Sequence, residues 1–264
     1  MKSKAWYNSC MIYLFDTHCH LDDEMIEAVK TDPGEIKYIC DIGVNLETST
    51  LCTKHAKEND FCYAAVGFQP EEVPEFSESL LADCMELLSE PKVVAIGEIG
   101  LDYHWEDNPP KEAQKKWFAA QLAYAVEKSM PVCIHSRDSE DDTMRMLKES
   151  RALGNIPVLL HCFSGSAELA RQYMKYDVCI ALGGPVTFKN SRKAVEVASF
   201  LPRSNLLTET DAPYLSPEPK RGTKNCPQNM MFTARRLAEI KNIEYEELAA
   251  ATFENACRFY GVKP

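Results

Sequence analysis

The sequence predicts an α/β fold, a (β/α)8 TIM-type barrel, and three observations lead there. Short apolar runs rich in Val, Ile, Leu and Cys recur eight times along the chain. Amphipathic stretches of helical length separate most of them. The 264 residues match the roughly 250 that one such barrel uses. Continuously apolar runs suit strands buried on both faces. Their alternation with helices suits a parallel sheet. The chain is read as one barrel domain, residues 1–264, with an open doubly wound sheet as the alternative architecture.

The eight strand candidates are Met11–Phe15, Ile36–Ile42, Phe61–Val66, Val93–Ile96, Val132–Ile134, Val158–Leu160, Asp177–Leu182 and Leu206–Leu207. Helical patterning is clearest over Glu75–Ser89, Lys111–Lys128, Ser139–Lys148, Ala167–Tyr176 and Ser191–Phe200. Two further helices, near Asn229–Lys241 and Glu246–Phe259, close the chain. The stretch Ala212–Pro227 (APYLSPEPKRGTKNCP) is rich in Pro, Gly and polar residues. It reads as a long loop at the barrel mouth, where long loops are commonly functional.

Bulk properties exclude several classes. Forty acidic against 29 basic residues give a net charge of −11, so extensive wrapping of a nucleic-acid duplex is not expected. A small footprint at a strand end, helped by bound metal, remains compatible. Eleven cysteines without a CxxC pair argue against a secreted disulfide framework and for a reducing cytoplasm. The N-terminal MKSKAWYNSCMIYLF meets Asp16 before any long apolar region. It reads as neither signal peptide nor membrane span.

The chemistry-bearing residues sit at strand ends. DTHCHLD places His18 and His20 two apart, on one face of the first strand. Glu98 follows the fourth run in VVAIGEIGLDYH, His135 the fifth in VCIHSRD, and His161 the sixth in VLLHCFSG. Asp211 follows the eighth in LLTETDAPY. All six are metal-ligand residue types at the carboxyl ends of strands, where barrels of this kind build their sites. Four of the chain's six histidines occupy these positions, which scatter would rarely produce.

The remaining candidates are less specific. His55, in TKHAKEN, reads as a solvated helical residue. His104 reads as a mouth-loop residue and a candidate substrate contact. Cys19, Cys133 and Cys162 read as buried small hydrophobes rather than thiolate ligands. Asp16 and Glu209 stand two before His18 and Asp211. Each either orients a ligand or water or is simply a buried, hydrogen-bonded carboxylate. Arg137, Arg221 and Lys224 are candidate phosphate contacts, since cations and the planar guanidinium suit phosphate. Ser164 and Gly165 are expected to open a helix whose N–H groups favour an anion.

Taken together, DTHCHLD, AIGEIGLDY, HSRD, HCFSG, TETDAPYL, RGTKN and the closing ATFENACRFYG resemble the TatD family of metal-dependent DNases, within the amidohydrolase-like barrels. The motifs keep the family order over nearly the whole chain. One position departs: the third strand ends in VGFQPEE, with Gln69 where the family usually shows histidine. No metal or catalytic role is carried onto it.

The resemblance implies two divalent ions per subunit (Zn²⁺, Mg²⁺ or Mn²⁺). His18, His20, Glu98 and Asp211 would hold one; Glu98, His135 and His161 would hold the second, with Glu98 as the bridge. Asp211 is the expected general base. The implied activity is metal-dependent hydrolysis by an activated water, as a deoxyribonuclease working exonucleolytically on short or single-stranded DNA. Hydrolysis of an aminoacyl-tRNA ester, amide or lactone on the same scaffold is the alternative. DNA strand ends are the expected substrate, with no membrane association and no obligate protein partner.

Overall fold

The computed structural model describes residues 11–264. The reading of residues 1–10 lies outside it. Eight strands form one parallel sheet: β1 (Leu14–Cys19), β2 (Ile36–Ile42), β3 (Cys62–Val66), β4 (Val93–Asp102), β5 (Val132–Arg137), β6 (Val158–Leu160), β7 (Cys179–Leu182) and β8 (Leu206–Thr208). Their spatial order is their chain order, each strand pairing in parallel with the next. The helices are α1 (Asp23–Thr31), α2 (Leu46–Glu58), α3 (Glu78–Glu86), α4 (Lys111–Lys128), α5 (Glu140–Glu149), α6 (Ala167–Met174), α7 (Arg192–Phe200), α8 (Met230–Lys241) and α9 (Tyr245–Tyr260). The result is a (β/α)8 barrel.

The seam between the first and last strands is closed largely by residues just beyond β8. The Asp211 N–H donates to the His18 carbonyl at 2.9 Å, and the His20 N–H to the Ala212 carbonyl at 2.7 Å. Thr17 Oγ1 donates to the Thr208 carbonyl at 3.0 Å. Asp16 accepts from the Thr210 N–H at 2.9 Å and from its hydroxyl at 2.5 Å. This carboxylate therefore ties β1 to the end of β8. Its burial pushes its acid form up to about 8, against the pull of those Thr210 bonds.

Two apolar layers follow from side-chain alternation. The inner layer fills the barrel with Phe15, Ile42, Leu159 and Leu207 among small residues such as Ala65, Ala95, Cys133 and Ala181. Eight strands leave room for side chains but not for a pore. Helix α9 plugs the floor with Phe253, Phe259 and Tyr260, whose hydroxyl donates to the Thr17 carbonyl at 2.6 Å. The outer layer packs the helices on the sheet and includes Cys19, while Cys133 faces inward as alternation requires. All ten described cysteines are free thiols. No described helix is long and apolar enough to cross a membrane.

His55 is buried rather than solvated, with Nδ1 2.8 Å from Asp41 Oδ2, because the inner face of α2 meets a carboxylate on β2. The other Asp41 oxygen accepts from the Leu21 N–H at 2.9 Å. Helix α6 begins at Ala167, with Ser166 Oγ accepting from the Leu169 N–H. That start is the one its patterning predicts, while Ser164 and Gly165, expected to open the helix, lie in the preceding loop. A Cβ on Gly165 would lie 2.6 Å from Phe163 Cζ, so this glycine makes room for that ring.

Candidate metal centre

Strand extent decides how the site is built. Strand β1 continues to Cys19, β4 to Asp102 and β5 to Arg137, well past their apolar runs. His18, Glu98 and His135 thus lie within strands rather than in loops: His135 pairs with Gly100 in the β4–β5 ladder, whereas His18 and Glu98 sit at register shifts, the Glu98 N–H donating to the Gly43 carbonyl at 2.9 Å. His161 directly follows β6, and its N–H donates to the Ile134 carbonyl at 3.1 Å. Asp211 lies three residues past β8 with φ at 54°, a left-handed conformation that aspartate tolerates better than most residues. The bond to His18 fixes it there.

These side chains converge around Glu98, which is 3% exposed. Its Oε2 lies 3.5 Å from His18 Nε2 and 3.8 Å from His20 Nε2. Its Oε1 lies 2.7 Å from His135 Nδ1 and 3.0 Å from His161 Nε2. Each carboxylate oxygen therefore faces its own pair of imidazoles. Asp211 Oδ1 is 4.0 Å from His18 Nε2 and 3.7 Å from His20 Nε2. Of the two cluster carboxylates it is the more open, its side chain 13% exposed.

A surrounding set of contacts aims the rings. His20 Nδ1 pairs with the Ile42 carbonyl at 2.9 Å, which turns Nε2 toward Glu98. His135 Nε2 lies 2.9 Å from Asp102 Oδ2. Asp102 is itself fixed: its Oδ1 accepts from the His104 N–H at 2.8 Å and Asn108 Nδ2 at 3.0 Å, and its backbone bonds Gln114. Glu209 Oε1 accepts from the Cys162 N–H at 2.5 Å and lies 3.7 Å from His161 Nδ1. That last gap is too long for a hydrogen bond, so the interaction is Coulombic.

Charge is distributed unevenly. Burial alone would raise the Glu98 carboxyl, but His161, His135 and His18 hold it well below the usual range. His18 and His161 stack at 3.9 Å, so both rings cannot readily be charged. Burial, then the His161 charge, lowers His18 to about 3. Against burial, Glu98 and Glu209 lift His161 well above its ordinary value. Against the same penalty, Asp102 and Glu98 lift His135 to about 9. Burial raises Asp211 to about 6, partly offset by His161 and His20.

The donor set fits divalent cations. His18 Nδ1 and Nε2, His161 Nδ1 and Glu209 Oε2 are buried without a hydrogen-bond partner, a costly state unless something else binds them. Three overlapping groups have ligand atoms within metal-sharing distance: His18–His20–Glu98, Glu98–His135–His161 and His18–His161–Glu209. None of the cysteines belongs to such a group among the described residues.

The other candidates line the mouth in various states. His104 Nδ1 is paired with Asp138 Oδ2 at 2.7 Å. Arg137 lies with Cζ 5.2 Å from the ring centre of Trp105, itself 51% exposed. Arg221 stacks on Phe188 at 3.8 Å. Lys224 is neutralised by Asp22 at 2.7 Å and Glu24 at 2.9 Å. Gln69 stays in its own loop, accepting from the Glu71 N–H at 2.5 Å and donating to Glu71 Oε2 at 3.1 Å.

Sequence reasoning passed over two residues. Asp102 is four after Glu98, so period-two alternation places it on the same face once β4 is allowed its full length. Asn225, in RGTKN, is buried; its Nδ2 donates to the Thr210 carbonyl at 2.9 Å and the Tyr214 carbonyl at 2.7 Å. It pins the long loop beside Asp211.

Fold and cluster together define a (β/α)8 barrel with a metal-competent histidine–carboxylate centre at the carboxyl ends of its strands. The family described as TatD related DNase matches residues 15–261. The chain belongs to that family. It is 43% identical over 259 residues to the Bacillus subtilis protein YabD, described as an uncharacterized metal-dependent hydrolase, covering 94% of this chain and 99% of the relative. It is 32% identical to the Mycobacterium tuberculosis TatD protein, described in the same way, over 94% of this chain and 98% of the relative. Among solved structures, the Escherichia coli TatD homologue YjjV superposes with a TM-score of 0.88 at 28% identity, covering 96% of this chain and all of that one.

Proposed function

We propose that this protein is a metal-dependent phosphodiesterase acting as a deoxyribonuclease, trimming short or single-stranded DNA from its ends. The observation that carries the reading is the placement of Glu98, each oxygen turned to a separate pair of imidazoles. A carboxylate so placed can be shared by two cations, as a neutral imidazole does not usually be. The family match and the metal-dependent hydrolase relatives support the same assignment.

His18, His20, Glu98 and Asp211 would hold one divalent cation, and Glu98, His135 and His161 the other. When bound, such ions polarise a phosphoryl oxygen, favour deprotonation of the attacking water and neutralise the leaving oxygen. The protein's own contribution is positional. Asp211, the more open cluster carboxylate, orients the water and accepts its proton. Asp102 and the Ile42 carbonyl keep His135 and His20 aimed at Glu98, while Glu209 and Asp16 brace the strand ends behind. Arg137, Arg221, His104 and Ser164 border the mouth where a phosphate backbone would approach.

The test is cleavage of end-labelled single-stranded DNA by metal-stripped protein, by protein with added Mg²⁺, Mn²⁺ or Zn²⁺, and by Glu98→Ala and Asp211→Ala. Metal-dependent shortening lost in both variants is the expected result. A folded, metal-loaded wild type that leaves DNA intact would overturn the reading and direct attention to ester, amide or lactone substrates.

A further inference from the structure

On the β6–β7 side of the mouth the chain leaves a cavity of about 420 Å³, within the size range of small-ligand sites. Its wall is mainly apolar, with Phe163, Leu182, Pro185, Val186 and Phe188. Two lining residues join it to the histidine–carboxylate cluster. Cys162 follows His161 and bonds Glu209 through its N–H. Gly183 lies so close that a Cβ there would be 3.4 Å from Glu209 Cγ.

The rim is cationic in a protein that is otherwise strongly acidic. Arg192 and Lys193 line the cavity within a stretch, 188–195 (FKNSRKAV), that has no acidic residue, and the loop after β8, which also carries Glu218, brings Arg221 onto its Phe188. The two loops are fastened together: the Glu218 N–H donates to Thr187 Oγ1 at 2.8 Å, and Arg221 lies over the Phe188 ring. Arg192, Lys193 and Arg221 form no ion pair among the described residues. Lys224, in the same loop, is by contrast committed to Asp22 and Glu24. An aromatic-walled cavity with unneutralised cations at its edge suits a ligand with a flat apolar body and an anionic tail.

We propose that this cavity seats one unpaired nucleobase of the DNA strand whose neighbouring phosphate lies at the Glu98 cluster, with the base stacking on the Phe188 face opposite Arg221, and Arg192, Lys193 and Arg221 holding the backbone. The inference rests on the phosphodiesterase reading and deepens it. A π-face is common to every base, so such a seat binds without sequence preference. A base paired in a duplex keeps both faces stacked and cannot enter. The seat thus supplies a physical reason for selecting single strands and frayed ends, which the metal cluster alone does not.

The test uses the full chain and three substrates: an end-labelled single strand, the same strand with an abasic tetrahydrofuran residue placed at each terminal position in turn, and methyl p-nitrophenyl phosphate, a diester without a base. Stacking is worth about tenfold to hundredfold per base. Wild type should therefore prefer the intact strand by that ratio in kcat/KM at one position. The ratio should fall toward one in Phe188→Ala and return in Phe188→Trp. Metal-stripped wild type should also quench a strand carrying 2-aminopurine at that position, and Phe188→Ala should not. Equal cleavage of intact and abasic strands by wild type, or an undiminished ratio in folded Phe188→Ala, would overturn the seat. The latter would move the base elsewhere, Trp105 being another exposed ring at the mouth. Failure of metal-loaded wild type on both the strand and the base-free diester would instead sink the phosphodiesterase reading, and the seat with it.

Discussion

Asp102 Oδ2 lies 2.9 Å from His135 Nε2, and this contact leaves Nδ1 as the imidazole nitrogen that points to Glu98. Carboxylates in this position behind a metal-binding histidine typically contribute 10- to 100-fold in affinity. Asp102→Asn should therefore weaken divalent-cation binding by about that factor, read by competition with a chromophoric chelator. The backbone bonds between Asp102 and Gln114 remain in the variant, so the fold should persist. Unchanged affinity in Asp102→Asn would remove Asp102 from the positioning scheme.

The buried, unpartnered nitrogens of His18 and His161 predict that metal stabilises the protein as well as activating it. A ligand at about 100 times its Kd adds about 2.7 kcal/mol to the unfolding free energy. Thermal melts with and without Mn²⁺ or Zn²⁺ should show an upward shift that EDTA reverses. In Glu98→Ala the shift should largely disappear. An equal shift in both proteins would place the stabilising ion somewhere other than this cluster.

Gly100 is required by close approach. Its φ is 148°, and a Cβ there would stand 1.9 Å from the His135 carbonyl oxygen. Gly100→Ala should destabilise by about 3 kcal/mol or more through overpacking and backbone strain. Gly154 is the comparison, with φ at 79° and nothing within 4 Å of an added Cβ. Gly154→Ala should cost only about 1 kcal/mol. Urea midpoints at neutral pH distinguish the two, and similar midpoints would refute the steric argument.

Asp142 gives a pH signature away from the metal centre. Its carboxylate is held by Arg145 at 2.7 Å, the Tyr103 hydroxyl at 2.8 Å and Lys115 at 3.0 Å, which keep it well below the usual aspartate range. A depressed folded-state value stabilises above the unfolded value, about 3.9, and that contribution is lost as pH falls through the lower folded one. The melting-temperature gap between wild type and Asp142→Asn should be constant above about pH 5 and shrink below about pH 4. A gap that does not narrow in acid would mean the three contacts do not act through charge.

The continuously apolar runs mark the strands because a barrel strand is apolar on both faces. Their ends were misjudged at β1, β4 and β5, since apolar patterning stops where side chains turn to the polar mouth while the ladder of backbone bonds continues. That is why Asp102, at the very end of β4, was passed over although alternation placed it beside Glu98. His55 was misread for a related reason: a helical pattern gives the inner face, but not that Asp41 waits there to satisfy an imidazole.

The sequence by itself determined the class of fold, the strand-end spacing of His18, His20, Glu98, His135, His161 and Asp211, and the family. These are local or periodic properties, written in residue type and interval. Only the tertiary structure decided that Glu98 turns one oxygen to each imidazole pair, that Lys224 is neutralised while Arg221 lies on Phe188, and that an apolar cavity opens beside the cluster. Those relations join residues up to 202 positions apart. They depend on barrel closure and loop docking, which bring together side chains that no sequence interval connects.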